Sequence, residues 1–335
     1  MTKSIYPPPY TITPEILNRV AAISEAIGRL TALADRARAL RRRRINRIRT
    51  IHGSLAIEGN TLSEAQITAI LDGKRVIAPP REVQEVKNAL AAYDRFDTWK
   101  PEAEKNLLEA HRILMSGLIN EAGRYRHGGV GVMAGRRVIH MAPPADRVPQ
   151  LMAALFGWIA ATDVHPLIAG SVFHYEFEFI HPFADGNGRM GRLWQSLILA
   201  RWNPLFAEIP VESLIFEHQA EYYRALQEST RLTDSAPFIA FMLRMILDAV
   251  TASAPQVTPQ VGELLAAIRN EMGREALQSA LRLSDRKSFR ERYLKPALDD
   301  GLIEMTIPDK PNSRLQKYRL TDKGRQWLAQ QGESP

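Results

Sequence analysis

The sequence predicts a mainly α-helical protein with one small β-hairpin at its middle and a winged helix-turn-helix at its C-terminal end. Three observations carry this. Between residues 14 and 252, apolar residues recur at three- and four-residue steps almost throughout, the period of helices that bury one face. The period fails over "GGVGVMAGRRVIHMAPP", Gly128 to Pro144, which reads as two short β-runs around Gly135. Beyond the small, polar, proline-containing "TASAPQVTP", a linker by composition, the text runs helix, helix, turn, helix, β-hairpin, the order of a winged helix.

The elements follow in order. A helix is expected over 14–40, after the proline-rich Pro7 to Pro9. The basic run "DRARALRRRRINRIRT", Asp35 to Thr50, holds eight arginines against one acid and accounts for the whole net charge of +7. Such a run can meet nucleic acid or anionic lipid. Leu40, Ile45, Ile48, Ile51 and Leu55 recur at helical steps within and after it, however, so an amphipathic helix with a solvated basic face accounts for it equally. "SEAQITAIL" opens on a Ser63-x-x-Gln66 capping box. Pro79 and Pro80 punctuate, and two helical segments lead to the hairpin. Further helices are expected over 146–161, 166–180, 187–202, 218–229 and 235–252. In the last part, 259–270, 273–281 and 285–300 read as helices, the third bent by Pro296; "GLIEMTIP" and "LQKYRL" pair, and Thr321 caps a final helix. The resulting division is an N-terminal helical region over 1–100, a core over 101–252 and a winged-helix-like domain over 256–330.

Composition limits the function classes. A chain of 335 residues suggests about two domains. It has no cysteine, which excludes disulfides and thiolate metal sites. No run of about eighteen apolar residues is evident, so no membrane association is expected. "MTKSIYPPPYTITPEI" lacks the apolar core of a secretory signal, and a cytoplasmic location is the expectation.

The densest chemistry lies in "FIHPFADGNGRMGRLW", Phe179 to Trp194. Gly186 and Gly188 flank Asn187 directly before a helix, where backbone amides can form a concave nest for an anion and the helix dipole adds positive potential. Arg189 and Arg192, three apart in the first turn, reach the same side. Two guanidinium forks beside an amide nest describe a polyphosphate site. Asp185 offers a hard oxygen suited to Mg²⁺ bridging phosphates. His181, at the loop's mouth, can take a proton from an attacking hydroxyl. Arginines at a helix start oppose the dipole, so their clustering argues for a task other than helix stability.

"HPFADGNGRMGR" resembles the Fic family motif His-x-Phe-x-(Asp/Glu)-Gly-Asn-Gly-Arg-x-x-Arg at every specified position. "GRYRHGGVGV", "APPADRVPQLM" and "HQAEYYRAL" are similar to their Fic counterparts, and the resemblance is strong over about 110–250. It implies a Fic helical core with a small β-hairpin flap, and transfer of AMP from ATP to a Ser, Thr or Tyr hydroxyl of a target protein. In that family His181 is the base and Asp185 holds Mg²⁺. Gly186, Asn187 and Gly188 form the anion hole, Arg189 grips the β-phosphate and Arg192 the γ-phosphate. The hairpin at 130–142 corresponds to the flap that pairs with a target segment. Tyr222 and Tyr223 correspond to the adenosine site, and Thr230 stands where relatives often carry asparagine.

A second stretch, "SLAIEGN" from Ser54 to Asn60, resembles the family's inhibitory signature (Ser/Thr)-x-x-x-Glu-(Gly/Asn), borne on a helix at about 40–60. A carboxylate at Glu58 paired with Arg192 occupies the place of the γ-phosphate. Ser54 and Gly59 complete the signature. In some relatives the equivalent glutamate also positions a water that removes AMP, so a de-AMPylating phosphodiesterase is the alternative activity.

Other classes remain in view. No His-Glu-x-x-His zinc motif is present. Residues 256–335 carry fourteen Lys/Arg against eleven Asp/Glu, a net +3, and "SDRKSFRERYLKPAL" can serve as a recognition helix, which makes a DNA-binding transcription regulator the alternative from another class. The protein itself is a further candidate target, and a homodimer is a further expectation.

Overall fold

The computed structural model describes residues 7–32, 36–134, 137–253, 258–311 and 313–332. Gly135, the expected centre of the hairpin, lies outside them, and so does the side chain of Leu40. The chain forms two compact units, one ending at Ser253 and one following it.

In the first unit, α1 (Pro14–Ala32) and α2 (Arg36–Ile57) replace the single helix expected over 14–40. Gly59, at φ +90°, terminates the turn after α2. Ser63 caps α3 (Glu64–Leu71) with the expected capping box. Then come α4 (Pro80–Arg95), α5 (Glu104–Leu114), β1 (Gly131–Ala134) and β2 (Arg137–Met141). The two strands pair antiparallel, with the register shifting between Val132 and Met133. The unit closes with α6 (Val148–Ala161), α7 (Pro166–Ile180), α8 (Asn187–Trp202), α9 (Val211–Glu217), α10 (Gln219–Leu232) and α11 (Ala236–Ser253).

One apolar core runs from Ile16 to Val250, so residues 1–100 and 101–252 share it. At its centre α7 and α8 lie against each other with almost all their side chains buried, including Phe173, Phe177 and Trp194. Helices buried on every face hold what connects them with little freedom. Their connection, 181–186, is the motif loop.

Two expectations are corrected. Ile48, Ile51 and Leu55 of α2 are buried, but Ile45 is 46% exposed. In that turn the helix is held instead by its polar groups: Arg43 pairs with Glu208, Arg44 with Asp72, and Arg47 with Asp94, and Asn46 donates to the Glu208 carbonyl. The basic run thus turns several arginines onto acids of its own unit. Second, α11 is long and apolar enough by composition to cross a membrane. Its Phe238, Ile239, Met242, Leu243, Met245 and Ile246 are buried, and it packs against α1, α7 and α10, as a core helix does.

The second unit contains α12 (Pro259–Ala267), β3 (Met272–Gly273), α13 (Arg274–Ala280), α14 (Arg286–Phe289), α15 (Lys295–Asp299), β4 (Ile303–Met305), β5 (Lys317–Leu320) and α16 (Asp322–Gly332). The expected helix over 285–300 is interrupted by a π-type turn at Arg290–Leu294, just before Pro296. A proline cannot donate to the preceding turn and its ring crowds it, and a wider turn relieves both. β5 lies between β4 and β3, a three-stranded sheet where sequence offered a hairpin. Thr321 Oγ1 accepts from the Gly324 amide at the start of α16, as expected.

Candidate active site

His181 is the C-cap of α7, in the left-handed conformation at φ +50° and ψ +60°. Its amide still donates to the Phe177 carbonyl at 2.9 Å, so the chain leaves the helix abruptly and the ring is set by backbone geometry. Nδ1 lies 3.3 Å from the Glu178 carbonyl oxygen and 3.6 Å from Glu178 Oε2. Facing two acceptors, Nδ1 carries the proton of the neutral ring, which leaves the lone pair on Nε2.

The loop is built to stay closed. Asn187 Oδ1 accepts from the Phe183 amide and Nδ2 donates to the Phe183 carbonyl, both at 2.9 Å. The Asn187 side chain therefore ties the turn, leaving backbone amides as the contribution of the Gly-Asn-Gly stretch to an anion site. Phe183 is fully buried and stacks on His111 with ring centroids 3.6 Å apart. The Gly123 amide donates to His111 Nδ1 at 2.8 Å, so Nε2 bears the proton and donates to the Asp185 carbonyl at 3.0 Å. Burial pushes His111 down to about 4, keeping it neutral. Gly186 must be glycine twice over: φ is +85°, and a Cβ would sit 2.6 Å from Met115 Sδ.

Arg126 secures the loop from the other side. Its guanidinium, buried, donates to the carbonyls of His181 at 2.8 Å, Gly128 at 2.8 Å and Ile180 at 3.3 Å, and also reaches that of Pro143. One side chain thus joins the base to the chain entering and leaving the β1–β2 hairpin. Sequence reasoning quoted "GRYR" for its resemblance but assigned Arg126 nothing, and a lone arginine before a glycine pair carries no signal of its partners.

The charged groups gather around the start of α8. Asp185 Oδ1 accepts from the Gly186 amide at 2.6 Å and from Arg189 at 3.1 Å, and Oδ2 accepts from Arg81 at 3.1 Å. Arg189 is 5% exposed, lies 3.4 Å from Glu85, and keeps its Nε without a hydrogen-bond partner. A buried donor left orphaned is costly.

Arg192 is nearly fully buried, and its Nη2 and Nε are engaged. It donates to Glu58 Oε1 at 2.6 Å, to the Ser54 carbonyl at 2.9 Å and from Nε to Ser54 Oγ at 3.2 Å. Burial opposes its charge, but the surrounding groups, Glu58 first among them, together raise its pKa and hold the guanidinium charged. Glu58 stands just past the end of α2, where a helix dipole disfavours an acid, so Arg192 is what anchors it. A Cβ at Gly188 would collide with Glu58 Oε1, which places the carboxylate directly over the loop's amides.

The structure brings His181, Asp185, Gly186, Asn187, Gly188, Arg189, Arg192, Ser54 and Glu58 together, with Gly59 turning the chain away behind Glu58. Tyr222 points elsewhere. It is 2% exposed and its hydroxyl sits 3.1 Å from His174 Nε2 in the core, so it offers no surface to a nucleotide in this conformation. Tyr223 is half-buried beside it, with ring centroids 5.3 Å apart. The Thr230 hydroxyl donates to the Leu226 carbonyl and lies 3.2 Å from the Tyr175 hydroxyl.

Residues 101–199 match the Fic/DOC family, and residues 259–321 match the C-terminal domain of Fic-like proteins named for filamentation induced by cAMP. A crystallised Fic family protein from Desulfovibrio desulfuricans G20 is 55% identical, with 95% of this chain and 99% of that one aligned at a TM-score of 0.72. The chain belongs to the Fic family. Its motif loop lies within the matched segment, and Glu58 lies before it. The protein adenylyltransferase Fic of Nematostella vectensis is 32% identical over 217 residues, 61% of this chain and 48% of the relative. The corresponding protein of Culex quinquefasciatus is 31% identical over 58% of this chain and 39% of its own length. The chain thus spans about half the length, or less, of these curated relatives. Fic-1 of C. elegans aligns over 71% of this chain and 70% of that one, at 25% identity and a TM-score of 0.58.

Proposed function

We propose that this protein transfers AMP from ATP to a hydroxyl side chain of a target protein, and that Glu58 holds it in a restrained state. The observation that carries this reading is the convergence of a lone-pair nitrogen, His181 Nε2, with two buried arginines and a glycine-flanked helix start on one loop. Relatives named protein adenylyltransferase support the choice of AMP.

The steps follow from the chain's own groups. The triphosphate lies along the start of α8, where Arg189 and the amides of 186–188 take the inner phosphates. Arg192 takes the terminal phosphate only once Glu58 leaves it. The target's hydroxyl oxygen attacks the α-phosphorus, its proton passes to His181 Nε2, and the bond from the α-phosphorus to the bridging oxygen breaks, releasing pyrophosphate. Two buried guanidinium groups offset the charge that develops on that leaving group.

Asp185 fits a Mg²⁺ ion bound mainly through phosphates. Among the described residues no group of three or more His, Asp and Glu could hold a metal alone. A single carboxylate beside the phosphate site is what Mg²⁺ carried in by a nucleotide needs. When bound, the ion neutralises phosphate charge. To hold the ion, Asp185 would give up its pairing with Arg81, which is over half exposed.

The test is mass spectrometry of purified protein and of lysate proteins after incubation with ATP and Mg²⁺, using the Glu58→Gly variant. AMP on Ser, Thr or Tyr is the expected result, and its absence with ATP demonstrably bound counts against transfer. Adding AMP-modified protein to wild type tests the reverse activity.

A second reading concerns the C-terminal unit, where DNA binding has one specific support. Arg274, Arg286 and Arg314 line a polar cleft of about 620 Å³ formed by α13, α14 and the chain before β5. Arg286 is partly matched by Glu275 at 3.5 Å. Three phosphate contacts predict a log–log salt slope near −2.7 for duplex DNA, about −0.9 each. Fluorescence anisotropy against salt tests it, and a flat response removes it.

A further inference from the structure

Glu178 is the buried charge of the site for which neither the motif nor the helical pattern gives a reason. It lies one turn before His181 on α7, with its side chain 5% exposed. Burying a carboxylate is costly unless its oxygens are bonded. Here Oε1 has no hydrogen-bond partner, and Oε2 has the His181 ring as its neighbour, with Nδ1 3.6 Å away. A carboxylate kept for the fold alone would have both oxygens satisfied.

We propose that Glu178 is the positioning residue of the base: its carboxylate holds the His181 ring by the Nδ1 edge and stabilises the imidazolium formed when Nε2 accepts the target's proton. This rests on the transfer reading above. The proton stays on the ring; Nδ1–H lies between the Glu178 carbonyl oxygen at 3.3 Å and its carboxylate at 3.6 Å, and no proton passes to Glu178. The other groups facing Glu178 do not take over its charge. His174 Nε2 is 3.9 Å from Oε1. His174 donates from Nδ1 to Gln195 Oε1 at 2.6 Å and accepts at Nε2 from the Tyr222 hydroxyl at 3.1 Å, the pattern of a neutral ring. Burial pushes His174 down to about 4, which keeps it so. Arg192 of α8 is the nearby cation, and its charge is matched by Glu58 of α2. Tyr222 and Tyr223 of α10 complete the surroundings, both with hydroxyls pushed up by burial. Burial alone would push the Glu178 carboxyl up as well, but the His181 ring and Arg192 help hold it below the usual carboxylate range. It is therefore ionised, and the one neighbour able to gain charge during the reaction is His181.

Gly191 keeps this geometry open. A Cβ there would lie 3.3 Å from Glu178 Oε1 and 3.0 Å from His174 Nε2, so α8 approaches the buried carboxylate by its bare backbone.

The experiment compares Glu178→Gln and Glu178→Asp with the parent, all in the unrestrained Glu58→Gly background. The glutamine variant should lose at least about tenfold in kcat, with the KM for ATP unchanged. Its acid limb should move to lower pH by about one unit, because a carboxylate within a few ångströms favours the protonated ring. The aspartate variant should recover part of both, and it carries the test if the glutamine variant fails to fold. In parallel, NMR titration of the His181 imidazole, assigned with His181→Ala, should show the same downward displacement in the glutamine variant without any substrate. Loss of kcat with an unmoved acid limb and an unmoved His181 titration would make Glu178 merely structural and overturn the proposal. A displaced titration with no AMP transfer by any variant would sustain the Glu178–His181 coupling and overturn the transfer reading instead.

Discussion

Arg192 and Glu58 form a 2.6 Å ion pair between α8 and the end of α2, with the guanidinium almost completely buried. With Ser54 supplying a carbonyl and a hydroxyl to the same group, its Nη2 and Nε donors are committed before any nucleotide arrives. A polyphosphate must displace a charge-assisted hydrogen bond to use Arg192, and such bonds contribute about 1.5–3 kcal/mol. On the proposed function, that free energy is the size of the restraint.

The restraint depends on how closely α2 lies on α9. A Cβ at Gly53 would sit 2.6 Å from the Glu212 carbonyl carbon and oxygen and from the Ser213 amide nitrogen, all backbone and none able to swing aside. Gly53→Ala should therefore push α2 outward, lowering stability by about 1–3 kcal/mol and raising basal AMP incorporation as Glu58 draws off Arg192. Thermal melts and a labelled-ATP assay on the same preparation check both. A variant that melts as wild type does and stays silent counts against the close approach.

Arg126 should matter for both shape and rate. Removing it leaves the buried carbonyl of Ile180 and the partly covered carbonyls of His181 and Gly128 without this donor, at a cost of about 3 kcal/mol. Arg126→Ala should lower the urea midpoint accordingly. Arg126→Lys, a point charge without the planar fork, should recover only part of it. In the Glu58→Gly background the alanine variant should also lower kcat, because the His181 carbonyl is among those released.

Much of this architecture was legible in advance, and the exceptions have physical causes. Periodicity located α6, α7, α8 and α11 because helices buried on one or more faces advertise their period, and the capping box fixed the start of α3. The pairing of Glu58 with Arg192 was implied by two stretches that resemble family signatures with fixed spacing along the chain. Glu178 and His111 could not be read in this way. The partners of His111 are the amide of Gly123 and the carbonyl of Asp185, which no spacing rule relates; Glu178 stands three residues before His181, but that spacing shows neither its burial nor its unpaired oxygen. Tyr222 misled because a tyrosine on a helix looks alike whether its hydroxyl meets a ligand or a buried histidine. Ile45 misled because an apolar stripe does not reveal where along a helix the packing begins. The strand β3 is only two residues long, too short for any alternation to show.

The buried histidines set a pH response. His174 is held neutral, with its titration pushed from 6.5 down to about 4 by burial. Between those values the unfolded chain binds the proton and the fold does not, so stability falls as pH falls and is intact above 6.5. The loss attributable to His174 approaches about 3 kcal/mol by pH 4. Urea midpoints measured from pH 7 to 4 should decline, and His174→Gln should flatten part of that decline. His111, also pushed to about 4, acts with the same sign and accounts for part of what remains.

The central claim is that one loop transfers AMP and one carboxylate restrains it. It is tested most directly by following label from the α-phosphate of ATP into protein, with Mg²⁺ and lysate, for wild type, Glu58→Gly and Glu58→Gly/His181→Ala. The pairing of Glu58 with Arg192 predicts a roughly ten- to hundredfold increase on removing Glu58, and its complete loss on removing His181 as well. Equal incorporation by wild type and Glu58→Gly would contradict the restraint, and label persisting without His181 would contradict the base.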